Sequence, residues 1–522
     1  MIALTGDTLE SSEHQHRLSV ASVRLYDLFK ERPSAVVIPS LDGIEGVVKR
    51  LRNVDTQVSS SMGSPLSPPR SVVGSETMTR LLIEAEDTIA AIASAVGGGV
   101  GVIRLSGPGA VAILRDHFSP LPETLEPRKL IHGWWHDHDG VPIDEGLAVF
   151  MAGPRSYTGE DVVELQLHGG ALSLSQSLAV CVRAGARRAE PGEFTRRAFL
   201  RGRMDLTRAE AVADLVGART ERALDAAREL LRGRLYEVAM ETREAILMIR
   251  AELEVNIDFV DEEVPLVDPS GLAARALVLA ERLEELAATY IRGRLVRRGA
   301  RAVLTGDPNA GKSSLFNALL GTSRAIVTEI PGTTRDTVEE AIDVKGIPVV
   351  LVDTAGLRES PDRVEAAGIE RTLAAIATAD LILHVEDPTG PGGVPPQVID
   401  APCLLVSSKA DLRETRVVPG AIKVSSHDGS GLSELREAIA RCLGVSELTQ
   451  GGLVIAHERH HEALVTCATA LRAAASGLRA SAPPELVAVD VSDATDALAN
   501  LVGLTTIEDV LDRLFSSFCI GK

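Results

Sequence analysis

The chain has 522 residues, 45% of them hydrophobic and 24% charged, which gives room for roughly three domains of ordinary globular composition. A net charge of −19 and only 3% aromatic residues exclude a protein that wraps nucleic acid unaided, because that binding draws on counterion release at a basic surface and on stacking. The five cysteines (Cys181, Cys403, Cys442, Cys467 and Cys519) show no metal-ligand spacing, and no apolar run or basic leader marks a membrane span or export signal, so a reducing cytoplasm without structural zinc is expected.

In chain order, residues 1–77 differ from the rest. The Ser-, Pro- and Gly-rich stretch from Val54 to Thr77 reads as a disordered extension, with Met78 as the expected functional start. From Asp87 short strands and turns follow. Gly97, Gly98, Gly99 and Gly101 precede a strand at Val102–Leu105, and SYTGEDVVELQLHGG (Ser156 to Gly170) joins a turn, a strand and a second glycine corner. Tight turning alone accounts for these glycines, whereas Arg104 and Glu164 are charges inside apolar strand-like runs and ask for a reason. The arginine-rich run through Arg183, Arg187, Arg188, Arg196, Arg197, Arg201 and Arg203 reads as a solvated basic face or a seat for an anionic ligand tail.

Helical periodicity begins at Thr207. Leu224, Leu231, Leu235, Val238, Ile246, Ile249 and Leu253 recur on one predicted helix face as bundle core. From about Arg301 to Val445 strands alternate with helices, the pattern of a parallel sheet covered on both sides. His457–Leu478 and Ala494–Phe518 read as helical again, so the simplest architecture is a helical region interrupted by an inserted α/β domain. His460 and His461 lie on this second helical part without a metal-site set of companions, and a surface position is expected rather than a metal site.

The inserted segment carries the chemistry. GDPNAGKS (Gly306 to Ser313) fits G-x-x-x-x-G-K-S/T between a strand and a helix, so backbone N–H groups cradle phosphate, Lys312 reaches the β- and γ-phosphates and the Ser313 hydroxyl ligates Mg²⁺. PGTTRD (Pro331 to Asp336) offers Thr334 to Mg²⁺ and the γ-phosphate. DTAG follows a strand, with Asp353 behind the Mg²⁺ shell and Gly356 against the γ-phosphate. In SSKAD, Asp411 accepts from guanine N1–H and the 2-amino group, which selects GTP over ATP, and VSSHDGSG (Val424 to Gly431) supplies N–H groups to O6. Ras-type GTPases place a water-orienting glutamine just after this D-x-x-G; here the position is Leu357. Glu365 is a candidate to act in its stead, or an exposed helix carboxylate.

These motifs, together with GGGVGVIRLSG, EPGEFTRRAFL, GIERT and the terminal FCIGK, resemble the MnmE (TrmE) family of tRNA modification GTPases over Asp87 to Lys522. The resemblance implies a multidomain α+β and α/β fold. Its expected parts are a disordered extension (1–77), a tetrahydrofolate-binding and dimerisation domain (78–195), a discontinuous helical bundle (196–298 and 447–522) and an inserted Ras-like G domain (299–446). It further implies a homodimer working with MnmG (GidA) as a heterotetramer. That assembly adds an aminomethyl-type group, commonly carboxymethylaminomethyl, to C5 of the wobble uridine of tRNA, with the one-carbon unit from 5,10-methylene- or 5-formyl-tetrahydrofolate.

Residue by residue, the resemblance places K⁺ on Asn309, Thr328, Ile330 and Thr333, where the cation supplies the charge of an arginine finger, and Mg²⁺ on Ser313 and Thr334. GTP falls on Asn309, Ala310, Gly311, Lys312, Ser313, Ser314, Thr328, Glu329, Ile330, Pro331, Gly332, Thr333, Thr334, Asp353, Thr354, Ala355, Gly356, Ser408, Lys409, Asp411, Ser425, Ser426 and His427. Glu365 aligns with the water-orienting glutamate. Folate falls on Arg104, Glu164, Arg203 and Lys522, with Cys519 near the one-carbon chemistry. The chain departs from the family pattern at Ser408, where asparagine is expected: the shorter hydroxyl is predicted not to bridge base and phosphate loop, weakening GTP binding. Ser426 replaces alanine, Arg203 replaces lysine with altered donor geometry, and the glycine stretch before Val100 is one residue short and lacks an arginine. The competing class is an Era-like assembly GTPase that binds RNA without modifying it, though no KH module follows the G domain. A third is a folate-binding scaffold with a vestigial GTPase.

Overall fold

The computed structural model describes residues 87–258, 268–321, 339–353, 373–390, 401–412, 416–445, 452–505, 508–516 and 518–521. The first part is a seven-stranded sheet in the order β3-β4-β5-β6-β2-β1-β7. It is built from β1 (Ile89–Ile92), β2 (Val100–Ser106), helix α1 (Ala110–His117), β3 (Phe118–Ser119), β4 (Leu130–His136), β5 (Pro142–Met151), β6 (Val162–His168), helix α2 (Ala171–Arg183) and β7 (Arg187–Arg188). Side chains alternate across the pleat. Ala90, Ile103 and Leu105 therefore face α1 and α2, while Ile89 and Ala91 face Phe194 on the opposite side. Gly101 leaves room for α2 by close approach as well as by turning: a Cβ there would lie 2.5 Å from Leu174 Cδ1.

Six helices follow: α3 (Glu193–Leu200), α4 (Leu206–Gly217), α5 (Glu221–Leu231), α6 (Arg234–Asp258), α7 (Pro269–Ala287) and α8 (Tyr290–Arg298). The predicted apolar stripe divides at Gly233, whose φ of 87° ends α5 before α6 starts. Leu235, Ile246, Ile249 and Leu253 are core as predicted, but Leu231 lands on the exposed side because the two helices do not share an axis.

The inserted sheet runs β13-β12-β11-β8-β10-β9. Its elements are β8 (Ala300–Thr305), α9 (Lys312–Gly321), β9 (Glu339–Val344), β10 (Ile347–Asp353), β11 (Leu381–Glu386), β12 (Cys403–Ser407), β13 (Ile422–Lys423) and α10 (Leu432–Cys442). All pairings are parallel except β9 with β10. The central parallel strands β8, β10 and β11 are buried on both faces and so read as continuous apolar runs. Their carboxyl ends share one edge, which is where ligands of open α/β sheets bind.

The chain then returns to the bundle through α11 (Glu458–Arg479), α12 (Pro484–Val502) and α13 (Glu508–Ser516). An alanine-rich seam of Ala276, Ala280, Ala468, Ala475 and Ala494 lets α7, α11 and α12 pack closely. Helix α12 begins at Pro484, ten positions before its predicted start, because proline at the first turn costs no hydrogen bond. Finally, Ile520 makes an antiparallel bridge with Pro191, carrying the C-terminal segment back to the first sheet.

Candidate functional site: a phosphate loop and a distant cationic corner

Strand β8 ends at Thr305, and the next residues cannot adopt ordinary backbone. Gly306 has φ 135° and Gly311 φ 95°; a Cβ on Gly306 would stand 2.1 Å from Val385 O. Asn309 takes φ 63°, a conformation asparagine tolerates better than most residues. These dihedrals wrap the loop tightly from β8 into α9, which starts at Lys312. The buried Lys312 Nζ donates to Gly306 O at 2.9 Å and Asp307 O at 2.8 Å. It is held at the loop's mouth as a compact cation for phosphate.

Ser313 Oγ donates to Asp353 Oδ2 at 2.7 Å, which joins the start of α9 to the end of β10. Hydroxyl plus carboxylate oxygens suit Mg²⁺, a hard cation that takes few protein ligands beside phosphate and water. Asn309 is exposed at the loop surface and offers a side-chain carbonyl oxygen, a donor K⁺ accepts. Thr328, Glu329, Ile330, Pro331, Gly332, Thr333, Thr334, Thr354, Ala355, Gly356, Glu365 and Lys522 lie outside the described residues.

On the base side, Ser425 Oγ donates to Asp411 Oδ1 at 2.7 Å and accepts from the amide of His427 at 3.2 Å, which aims the exposed Asp411 carboxylate. Lys409, at φ 55°, reaches Asp387 Oδ2 at 2.5 Å. Burial opposes the charge on Asp387, but hydrogen bonds from Lys409 and Thr389 outweigh it and hold the carboxyl at about 2. Ser314 and Ser426 flank these groups without a side-chain bond described.

Ser408, just after β12, is buried against the phosphate loop. Its hydroxyl does reach the phosphate loop, donating to Ala310 O at 2.7 Å with Glu386 O at 3.1 Å. The loop closes onto it: a Cβ on Gly311 would sit 3.4 Å from Ser408 Cβ. What the hydroxyl lacks is a second proton for the base. Beneath the loop lies His384, not singled out by sequence, with Nδ1 3.1 Å from Thr305 Oγ1. Burial holds this imidazole below its usual pKa, Glu386 and Asp307 pulling the other way.

The second constellation is on the first sheet. Arg104 Nε donates to Glu164 Oε1 at 2.7 Å, an adjacency set by the β2–β6 register. Arg104 also lies 5.5 Å from the ring centroids of Tyr157 and Phe194 and donates to Gly521 O at 3.3 Å. Arg203 is tied to the same corner through Ser156 O at 3.1 Å. Arg104, Glu164 and the segment carrying the exposed Cys519 therefore meet at one corner, with Arg203 tied to the adjoining Ser156 turn, and a guanidinium beside two aromatic rings suits an anionic, aromatic ligand.

In the rest of the arginine run Arg183, Arg187, Arg188 and Arg201 are exposed as a solvated face would have them, but Arg197 is not. Arg197 is 4% exposed, bonds Asp87, and lies 3.2 Å from Glu160 Oε2 and 3.0 Å from Glu193 Oε1. Arg201 completes the carboxylate of Glu160 at 2.7 Å, and Arg187 pairs with Asp87 and Glu193. Such a network fixes the 156–160 corner on which the site rests.

His460 also departs from its predicted surface position. It is 0% exposed and sits 2.5 Å from Glu210 Oε2, a carboxylate also gripped by Arg459 at 3.0 and 2.8 Å. One turn along α4, Asp214 binds His457 at 2.6 Å and Arg297 at 2.5 Å. His460 and Glu210 are 250 positions apart and even Arg297 and Asp214 are 83 apart, so nothing local announced these partners.

A parallel sheet whose first strand runs into this loop, with Ser313 and Asp353 joined and Asp411 aimed at a base, defines a P-loop GTPase domain carried on a helical scaffold. Residues 206–519 match the family model for the MnmE helical domain, and residues 88–203 match that for the GTP-binding protein TrmE N-terminus. The chain belongs to the MnmE family of tRNA modification GTPases. Relatives of that name from Akkermansia muciniphila and Moorella thermoacetica are each 43% identical, with 84% of this chain and 100% of the relative aligned. The relative from Chloroflexus aurantiacus is 44% identical over the same shares. Among the described residues no helix is long and apolar enough to cross a membrane, and no group of three or more His, Cys, Asp or Glu is placed to hold a metal ion.

Proposed function

We propose that this chain is a K⁺-dependent GTPase of the cytoplasm. As a homodimer, in a heterotetramer with MnmG (GidA), it adds a carboxymethylaminomethyl or aminomethyl group to C5 of the wobble uridine of certain tRNAs, drawing a one-carbon unit from 5,10-methylene- or 5-formyl-tetrahydrofolate. The observation that carries the reading is the joining of Ser313 to Asp353 at 2.7 Å beneath Lys312, in a chain aligned with whole MnmE relatives.

In this reading the loop amides and Lys312 orient the triphosphate, and Ser313 with Thr334 holds Mg²⁺. Asn309 with Thr328, Ile330 and Thr333 holds K⁺. The two cations supply positive charge to the leaving oxygen. Asp353 fixes the Ser313 hydroxyl, Asp411 accepts from the guanine edge, and Glu365 orients the attacking water, since Leu357 has no group that can. Arg104, Glu164, Arg203 and Lys522 seat the folate beside Cys519. The domain limits at residues 78, 196, 299 and 447 follow from the same reading.

GTP turnover in K⁺ against Na⁺ tests it. Hydrolysis should be stimulated by K⁺ and fall by about 100-fold or more in Glu365→Ala, the ordinary worth of a proton-handling group. Cation-independent turnover, or an unaffected variant, would overturn the mechanism. Mass spectrometry of wobble uridine from cells with and without the gene tests the modification.

A further inference from the structure

Helix α5 belongs by sequence to the helical region, yet Ala223 is part of the core of the inserted sheet domain, beside Leu295, Val344 and Val349. One turn of contact is more specific than packing. Strands β9 and β10 are joined by a two-residue turn, Lys345 (φ 52°) and Gly346 (φ 85°). Such a turn with two left-handed residues matches the twist of its strands and makes a stiff hairpin. The amide of Gly346 donates to Asp343 Oδ1 at 2.6 Å, which locks it further.

Arg222 of α5 lies across this turn. A Cβ added to Gly346 would stand 2.7 Å from Arg222 Cδ and Cγ, so the arginine stem occupies the space that only glycine leaves open. The same guanidinium donates through Nη1 to Val445 O at 3.1 Å, where the chain leaves the sheet domain. One side chain thus grips the hairpin tip and the domain's exit at once. The other end of β10 is Asp353, bonded to Ser313 of the phosphate loop; the seven residues of the strand put it about 20 Å from the tip.

We propose that Arg222 is a positioning residue that couples the nucleotide state of the GTPase to the helical domain. The β9–β10 hairpin acts as a rigid lever between Asp353 and α5. The proposal rests on the GTPase reading, because the lever's input is the coordination change at Ser313 and Asp353. A coupling carried by packed elements with one anchoring side chain is worth a few fold to a few tens of fold in equilibrium.

The test is hydrogen–deuterium exchange of peptides covering residues 221–231 in full-length protein. It is measured with GDP and with a non-hydrolysable GTP analogue, for the unaltered chain, Arg222→Ala and Arg222→Met. Methionine keeps the stem over Gly346 and loses the donor, so it serves if alanine fails to fold. The unaltered chain should show exchange that differs between nucleotides by about 3- to 30-fold. The variants should lose most of that difference while GTP affinity and turnover stay within about 2-fold of the unaltered values. An undiminished nucleotide-dependent difference in both variants, or none in the unaltered chain with both nucleotides bound, overturns the coupling and leaves the GTPase intact. Failure of the unaltered chain to bind the GTP analogue overturns the function, and the coupling with it.

Discussion

A hydroxyl carries one proton, and at Ser408 that proton goes to Ala310 O at 2.7 Å, with Glu386 O at 3.1 Å also in reach. An asparagine amide has two N–H donors and can serve the loop while still donating to guanine N7; serine cannot do both. Ser408→Asn should therefore raise GTP affinity about 5-fold, the worth of one net hydrogen bond of about 1 kcal/mol. The gain should disappear with 7-deaza-GTP, which lacks the acceptor. Equal affinity of both proteins for GTP would remove the argument. The departure itself was legible in the sequence, since a motif position either holds the expected residue or does not. The bond to Ala310 was not, because it depends on how closely Gly311 lets the loop approach.

At the level of elements, the C-terminal segment behaves as an added piece of the first sheet. Gly521 has φ 93°, and a Cβ on it would meet Ile92 O at 2.4 Å, so Gly521→Ala combines a disfavoured backbone with a steric conflict. The cost, about 1–3 kcal/mol by the usual price of a strained residue, falls on the docking of residues 518–521. Folate binding, measured by fluorescence titration, should weaken about 5- to 100-fold, while GTP turnover remains. Unchanged folate affinity would detach the segment from that site. Sequence pattern located most helices and the inserted sheet, because apolar periodicity survives without knowledge of neighbours. It merged α5 with α6, since a single glycine turn hardly disturbs that periodicity. It took Arg197 for a surface residue because Glu160 and Asp87 lie far from it in sequence.

For the whole molecule, the decisive junction is α4, whose two carboxylates hold both chain crossings. Asp214 binds Arg297 just before the sheet domain begins and His457 after it ends, while Glu210 holds Arg459 and His460. Burial depresses the His460 imidazole to about 4 in spite of the Glu210 carboxylate beside it. Burial also opposes the charge on Glu210, but His460 and Arg459 keep its carboxyl well below the usual range. Both shifts have the same sign. The unfolded chain binds the His460 proton below its ordinary value of 6.5 and the folded protein does not until about 4, so stability is full above 6.5 and is lost as pH falls through that window. Thermal melts should show a loss on the order of 1–3 kcal/mol between pH 7 and 4.5, with a shallower slope in His460→Gln. An identical slope in that variant would place the acid sensitivity elsewhere.

Arg104 and its acceptor at Gly521 are 417 positions apart, which has a consequence for how the protein is made. The sheet around Arg104 leaves the ribosome long before the segment that completes it, so during synthesis Arg104 can meet Glu164 but not yet the carbonyl of Gly521. A product cut short by a premature stop codon just before residue 518 would keep the Arg104–Glu164 pair and lack the segment that closes this corner of the first sheet.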